Sequence, residues 1–204
     1  MIRSFAAAAA GAALLTLVGS NVLAQTASTD PTTVQAGIYV LETSHARVAF
    51  SVDHFGFSTW YGDFAGATGG LTLDPKNVAA SKLDISIPTA SVTTTNAKVD
   101  SELKAWFEAD KYPTITFRST GVTQTGKGAA KVTGDLTFHG VTKPVTLEVT
   151  FHGAGTNVMN KAYTVGFDAT GSLKRSDFGV SKYVPMVGDK VDLFISAPFE
   201  KKPG

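Results

Sequence analysis

With 204 residues, 18 Lys+Arg against 17 Asp+Glu and no cysteine, the chain is long enough for one domain with a packed core. The missing cysteine excludes disulfide staples, thiol catalysis and thiolate metal sites. A formal net charge of +1 leaves no basic surplus for phosphates, so nucleic acid is not an expected partner.

The amino terminus reads as a secretory signal. Met1, Ile2 and Arg3 precede an uncharged, alanine- and leucine-rich run from Phe5 to Val18, shorter than the roughly 20 apolar residues a membrane span needs. Val22-Leu23-Ala24 then sets small residues where a signal peptidase reads them, and cleavage is expected after Ala24. Export to the periplasm as a soluble protein, without stable membrane insertion, follows from that reading. Residues 25–36, polar and threonine-rich with Pro31, read as a flexible arm, and the domain as residues 37–200.

From Gly37 onward the pattern alternates with a period of two, which puts successive side chains on opposite faces of a strand. Val48, Phe50, Val52 and His54 share a face; Trp60, Phe64, Leu71 and Leu73 form the next set, and Leu83, Ile85 and Ile87 the third. A break follows, where Val99, Leu103, Trp106 and Phe107 fall at helical spacing and Asn96 is an N-cap, so a single helix is expected over Asn96–Phe107. Alternation resumes with Ile115 and Phe117, then Val132, Leu136 and Phe138, then Val145 to Phe151, Tyr163 to Ala169 and Val191 to Ala197. Asp74-Pro75, Thr125 to Gly128 and His139 to Pro144 punctuate strand pairs. The fold class is all-β: an antiparallel barrel of about eight strands with one helix capping an end. Large rings such as Phe50, Phe117, Phe138 and Phe167 on the apolar faces, with few tyrosines for interfacial girdles, speak against a membrane barrel.

No reaction is legible. His45, His54, His139 and His152 make no pair at metal-ligand spacing, so no metal and no cofactor are expected and His54 reads as a structural or mouth-lining residue. Asp177-Phe178-Gly179 lacks every companion of the kinase tripeptide it matches, and no G-x-S-x-G elbow occurs. The chain is read as no enzyme. Its 13 phenylalanines fall largely on the inward faces, and a barrel of this size either fills itself with side chains or holds one ligand. Gly62, Gly69, Gly134, Gly166 and Gly171, on or beside strands, and the lone helix favour a cavity.

His54-Phe55-Gly56-Phe57-Ser58-Thr59, Asn96 with Asp100, Tyr112 to Phe117, Gly134 to Val145 (GDLTFHGVTKPV), Arg175-Ser176-Asp177-Phe178-Gly179 and Val187-Gly188-Asp189 come in an order that resembles the YceI-like family of bacterial polyisoprenoid-binding proteins. The resemblance spans essentially the whole domain. It implies an extended, lipocalin-like antiparallel barrel in the periplasm, with an amphiphilic chain such as an isoprenoid or fatty-acid derivative threaded through its centre. The sequence departs from the family pattern at Glu102, at Trp106-Phe107-Glu108 and in the short loop Tyr183-Val184-Pro185-Met186.

Together, the apolar faces and the resemblance point to a lipid carrier. Phe50, Val52, Trp60, Phe64, Phe117, Phe138 and Phe167 are expected as walls and Leu103, Trp106 and Phe107 as an end cap, with His54, Arg175 or Lys182 meeting the polar head. Two rivals stand beside it: a solid-core, stress-related structural protein and a cryptic lipid-modifying enzyme. A homodimer is left open.

Overall fold

The computed structural model describes residues 27–203, so the expected signal sequence and its cleavage site lie outside the described residues. Eleven strand segments form one antiparallel sheet: β1 (Gly37–Leu41), β2 (Arg47–His54), β3 (Ser58–Phe64), β4 (Thr68–Leu73), β5 (Lys82–Pro88), β6 (Val92–Thr93), β7 (Thr114–Gly126), β8 (Ala129–Phe138), β9 (Val141–Thr156), β10 (Tyr163–Lys174) and β11 (Val187–Lys201). One α-helix among the described residues, α1 (Ala97–Trp106), stands between β6 and β7.

The segments build a closed eight-stranded barrel in the order β1-β4-β5-β7-β8-β9-β10-β11, with β11 returning to β1 through Leu41↔Phe199 and Tyr39↔Lys201. Beyond corners in the chain, β2 continues β1 along β11, β3 continues β4, and β6 continues β5. Closure removes the free edges that an open sheet of this length would present. At the end carrying β6 no ladder joins β6 to β7, and the chain crosses that interval as α1.

The helix starts where its cap residue predicts. The Asn96 side chain accepts from the Lys98 and Val99 amides at 3.1 and 3.4 Å, satisfying donors that a helix start leaves orphaned. Asp100 anchors the preceding turn, accepting from the Thr94 amide and hydroxyl at 2.6 and 2.7 Å. Stacking of Phe107 on Phe64 (6.1 Å) and its edge contact with Phe138 (5.0 Å) fasten the helix end across the opening, to β3 on one side and β8 on the other.

The opposite end is packed solid. Tyr39 and Val165 are fully buried, Phe199 nearly so, and Phe167 carries Phe151 and Phe199 at 5.9 and 6.3 Å. The Tyr39 hydroxyl donates to the Gln35 carbonyl at 2.6 Å, and burial, reinforced by Tyr163, pushes its pKa up to about 12.

At the amino-terminal side of the domain the structure differs from the sequence reading in two ways. The stretch expected as a flexible arm is, from Ala27 on, docked: Ser28 pairs with Ala154 of β9, Thr33 accepts from the Tyr163 hydroxyl, and Val34 is buried in the core. Its few apolar and backbone groups find partners that only the folded barrel supplies. Strand β1 begins at Gly37, where the alternation is expected to start, but departs from it, because Ile38 and Val40 on its outer face are exposed apolar residues.

Candidate functional site: a carbon-walled cavity under the helix

Between the packed end and the helix the barrel is hollow. The cavity measures about 310 Å³, at the lower end of the usual range for ligand pockets of ~300–1,000 Å³. Every strand except β6 contributes to its wall, and the surface it presents is almost entirely carbon. Alternation explains this: in a closed barrel one face of each strand has nowhere to point but inward.

All of the anticipated wall and cap residues stand on this lining except Trp60. Phe50 and Val52 come from β2, Phe64 from β3, Phe117 from β7, Phe138 from β8, Phe167 from β10, and Leu103, Trp106 and Phe107 from the helix end. Trp60 and His54 lie beyond it. They sit against each other, rings 5.2 Å apart, His54 one inward step past Val52 on β2 and Trp60 opposite Val52 on β3. The majority of the wall is aliphatic, including Leu71, Ile85, Val132, Leu136, Val145 and Leu193, inward-facing by the same alternation but without the rings that mark a candidate wall residue in the sequence.

The strand glycines act otherwise than expected. A Cβ on Gly62 would stand 2.3 Å from the Phe50 ring, and one on Gly134 2.5 Å from the Phe117 ring. These glycines seat a neighbouring strand's ring flat against the wall; they make room for side chains rather than for ligand. A Cβ on Gly69 would meet the Asp84 carbonyl at 2.1 Å, a close approach of two backbones.

Of the three head-group candidates, only Arg175 touches the cavity. Its guanidinium is committed: Nε and one terminal nitrogen donate to the Gly188 and Val187 carbonyls at 2.8 Å, and the other to Val180 at 3.0 Å. Burial lowers its pKa, and Asp189 opposes that. Asp189 itself is tied by the Ser176 amide and hydroxyl at 2.9 and 2.8 Å, so Arg175 and Asp189 together brace the segment between β10 and β11. Lys182 stands outside, its Nζ 5.0 Å from the Trp106 ring centre and 5.3 Å from that of Tyr183.

The histidines stay apart. His139 Nδ1 lies 2.9 Å from the Phe178 carbonyl, which makes it the donor, while Nε2 is 2.8 Å from Glu108 Oε2 without hydrogen-bond alignment. His152 pairs with Asp168 at 2.8 Å and His45 with Glu42. Among the described residues no three His, Asp or Glu side chains gather as a metal site, and no helix is long and apolar enough to cross a membrane.

A hollow eight-stranded barrel with a helix at one end can be compared with known proteins. Residues 39–199 match the model of the YceI-like domain. The chain belongs to the YceI-like family. Protein YceI of Escherichia coli O157:H7 is 41% identical over 157 residues, covering 76% of this chain and 81% of that one. Among solved structures, Burkholderia cenocepacia BcnA superposes with a TM-score of 0.70 at 25% identity, over 78% of this chain and 98% of its own. A domain from Saccharophagus degradans described as polyisoprenoid-binding superposes with a TM-score of 0.62 at 13% identity, over 82% of this chain and all of its own, a likeness of fold. The YceI-like match thus takes in every strand that lines the cavity.

Proposed function

We propose that this protein is a periplasmic carrier that holds the apolar chain of a long amphiphilic lipid, a polyisoprenoid or fatty-acid derivative, inside its barrel. The observation that carries the reading is the cavity wall: a continuous surface of carbon, closed by a packed floor, suits a chain and gives a polar substrate nothing to bond. Family membership and the polyisoprenoid-binding description of the Saccharophagus degradans domain support it. The protein binds without transforming, needing neither cofactor nor metal.

Removal of the chain from water drives binding. At ~0.8 kcal/mol per buried CH₂, about fifteen carbons offer roughly 12 kcal/mol gross, against an association cost of ~4 to 15 kcal/mol. Affinity therefore rests on chain length. The head group stays at the helix end, where Trp106 and Lys182 meet solvent and no charge has to be buried unpaired.

A homologous series of saturated chains, titrated into delipidated protein beside Phe117→Asp, tests this. Affinity is expected to climb with each added carbon and to collapse in the variant, whose carboxylate would stand in the carbon wall. Affinity independent of length, or unaffected by the aspartate, places the lipid elsewhere and returns the solid-core reading.

A further inference from the structure

The helix end of the barrel carries a feature that chain holding does not require. At the tip of the β2–β3 hairpin Phe57 is 92% exposed and Phe55 45%; on the adjoining loop Met186 is 53% exposed and Tyr183 48%. The two tips form one crown, because the Phe55 amide donates to the Met186 carbonyl at 2.8 Å. Two of these rings are held at a conformational cost. Phe55 (φ 58°) and Tyr183 (φ 62°) occupy the left-handed region, where bulky side chains are outliers and glycine or asparagine is the ordinary occupant. The fold presents large apolar groups to solvent at positions that favour small polar ones.

The crown is continuous with the cavity. Tyr183 packs edge-on against Trp106 at 5.5 Å, and Trp106 is itself part of the cavity wall. Lys182 stands over both rings. On the loop between β9 and β10 Val158 and Met159 are also exposed, but neither is among the residues that line the cavity.

We infer that this crown docks the barrel mouth onto a lipid bilayer, so that a chain passes between membrane and cavity without crossing water. The inference rests on the reading of the barrel as a lipid carrier: a chain that favours the cavity by ~0.8 kcal/mol per CH₂ over water is held by a bilayer for the same reason, so its source and destination are lipid surfaces. Exposed aromatics and a methionine beside a lysine compose an interfacial anchor, the rings entering the headgroup boundary while the amine stays in water. The crown is built from two tips, each bearing an exposed apolar side chain, Phe57 on one and Met186 on the other, that can enter a fluid surface.

The test uses the exported protein with phosphatidylcholine vesicles and a pyrene-labelled fatty acid. Wild type is expected to float with the vesicles at low and high salt, and Phe57→Ser with Met186→Ser to lower that partition about tenfold or more, given what burying each side chain is worth. Loading of the label from vesicles should slow in parallel, while final occupancy, reached with label added directly from solution, stays at the wild-type level. Wild type that stays unbound, binding that vanishes at high salt, unslowed loading by the double variant, or a wild-type dimer that the same variant dissolves each overturns the docking inference. Zero occupancy in wild type from either source instead defeats the carrier reading, so the two failures are separable.

Discussion

The two ends of the barrel are made of the same residue types and do opposite things. At the floor, Tyr39, Val165 and Phe199 fill the interior, and the segment before β1 closes over β9. Beneath the helix, Phe50, Phe117 and Phe138 line a space instead of filling it, their rings laid back over glycines or braced against one another. The difference lies in what stands opposite each side chain. Full burial among neighbouring side chains makes a core; a ring laid over a neighbouring strand's glycine, as Phe50 over Gly62 and Phe117 over Gly134, makes a wall.

The comparison predicts unequal responses to the same kind of damage. Truncating a floor residue should be the most disruptive change: Tyr39→Ala is expected to lose about 3 to 5 kcal/mol of stability, as for large aromatics in packed cores, read by urea denaturation. Phe117→Ala, whose ring already borders empty space, should lose clearly less. Equal losses would mean that the middle is as packed as the floor.

Overfilling gives the converse. Ala154→Leu, at a nearly fully buried site under the docked segment, is expected to destabilise by about 1 to 3 kcal/mol through overpacking. Ala169→Leu, on the cavity wall, should leave the urea midpoint nearly unchanged and lower the capacity for long chains. If Ala169→Leu destabilises as much as Ala154→Leu, the hollow is not a usable space.

Much of this was legible in the sequence, and for a physical reason. A closed sheet with one dry face enforces alternation wherever its outer face is polar, and so β2, β5, β8, β9 and the inward direction of Phe50, Phe117 and Phe138 could be read directly. Alternation failed at β1, where Ile38 and Val40 leave the outer face apolar, and it could not separate wall from floor. Val165 and Phe167, two apart on the inner face of β10, carry the same signal, but Val165 is fully buried in the floor while Phe167 lines the cavity. That distinction depends on which strand lies beside which, a long-range property. For the same reason His54, on the inner face of β2 one step beyond Val52, runs past the cavity: alternation fixes a face and not a height along the barrel.

The helix is the part of the cavity wall that strands do not supply, and its cap tests whether it can be loosened alone. Asn96→Ala is expected to lose about 1 kcal/mol, typical of an N-cap. Because the floor shares no contact with Asn96, the visible effect should be faster release of a bound chain, followed as label dissociation, with amide exchange unchanged around Tyr39 and Val165. Slowed exchange at α1, or protection lost equally at the floor, would break the division between lid and core.

The smallest effects separate the two ends by pH. Asp100, beside the helix start, is held below the usual carboxylate range first by the Thr94 hydroxyl, against some desolvation, and then by the Thr94 amide, the Thr93 hydroxyl and Lys104. Its folded pKa is depressed, so its contribution is present above the unfolded value of about 3.9 and is lost as pH falls through the folded one. Tyr39, in the floor, runs the other way. Its folded pKa is raised to about 12, so the unfolded chain gives up the proton first, and stability is lost as pH climbs from about 10 toward that value. Urea midpoints measured across pH should therefore fall at both extremes, with Asp100→Asn flattening only the acid limb and Tyr39→Phe only the alkaline one. An acid limb that Asp100→Asn leaves untouched would show that the helix start takes no part in acid unfolding, and an alkaline limb that Tyr39→Phe leaves untouched would show the same of the floor hydroxyl at high pH.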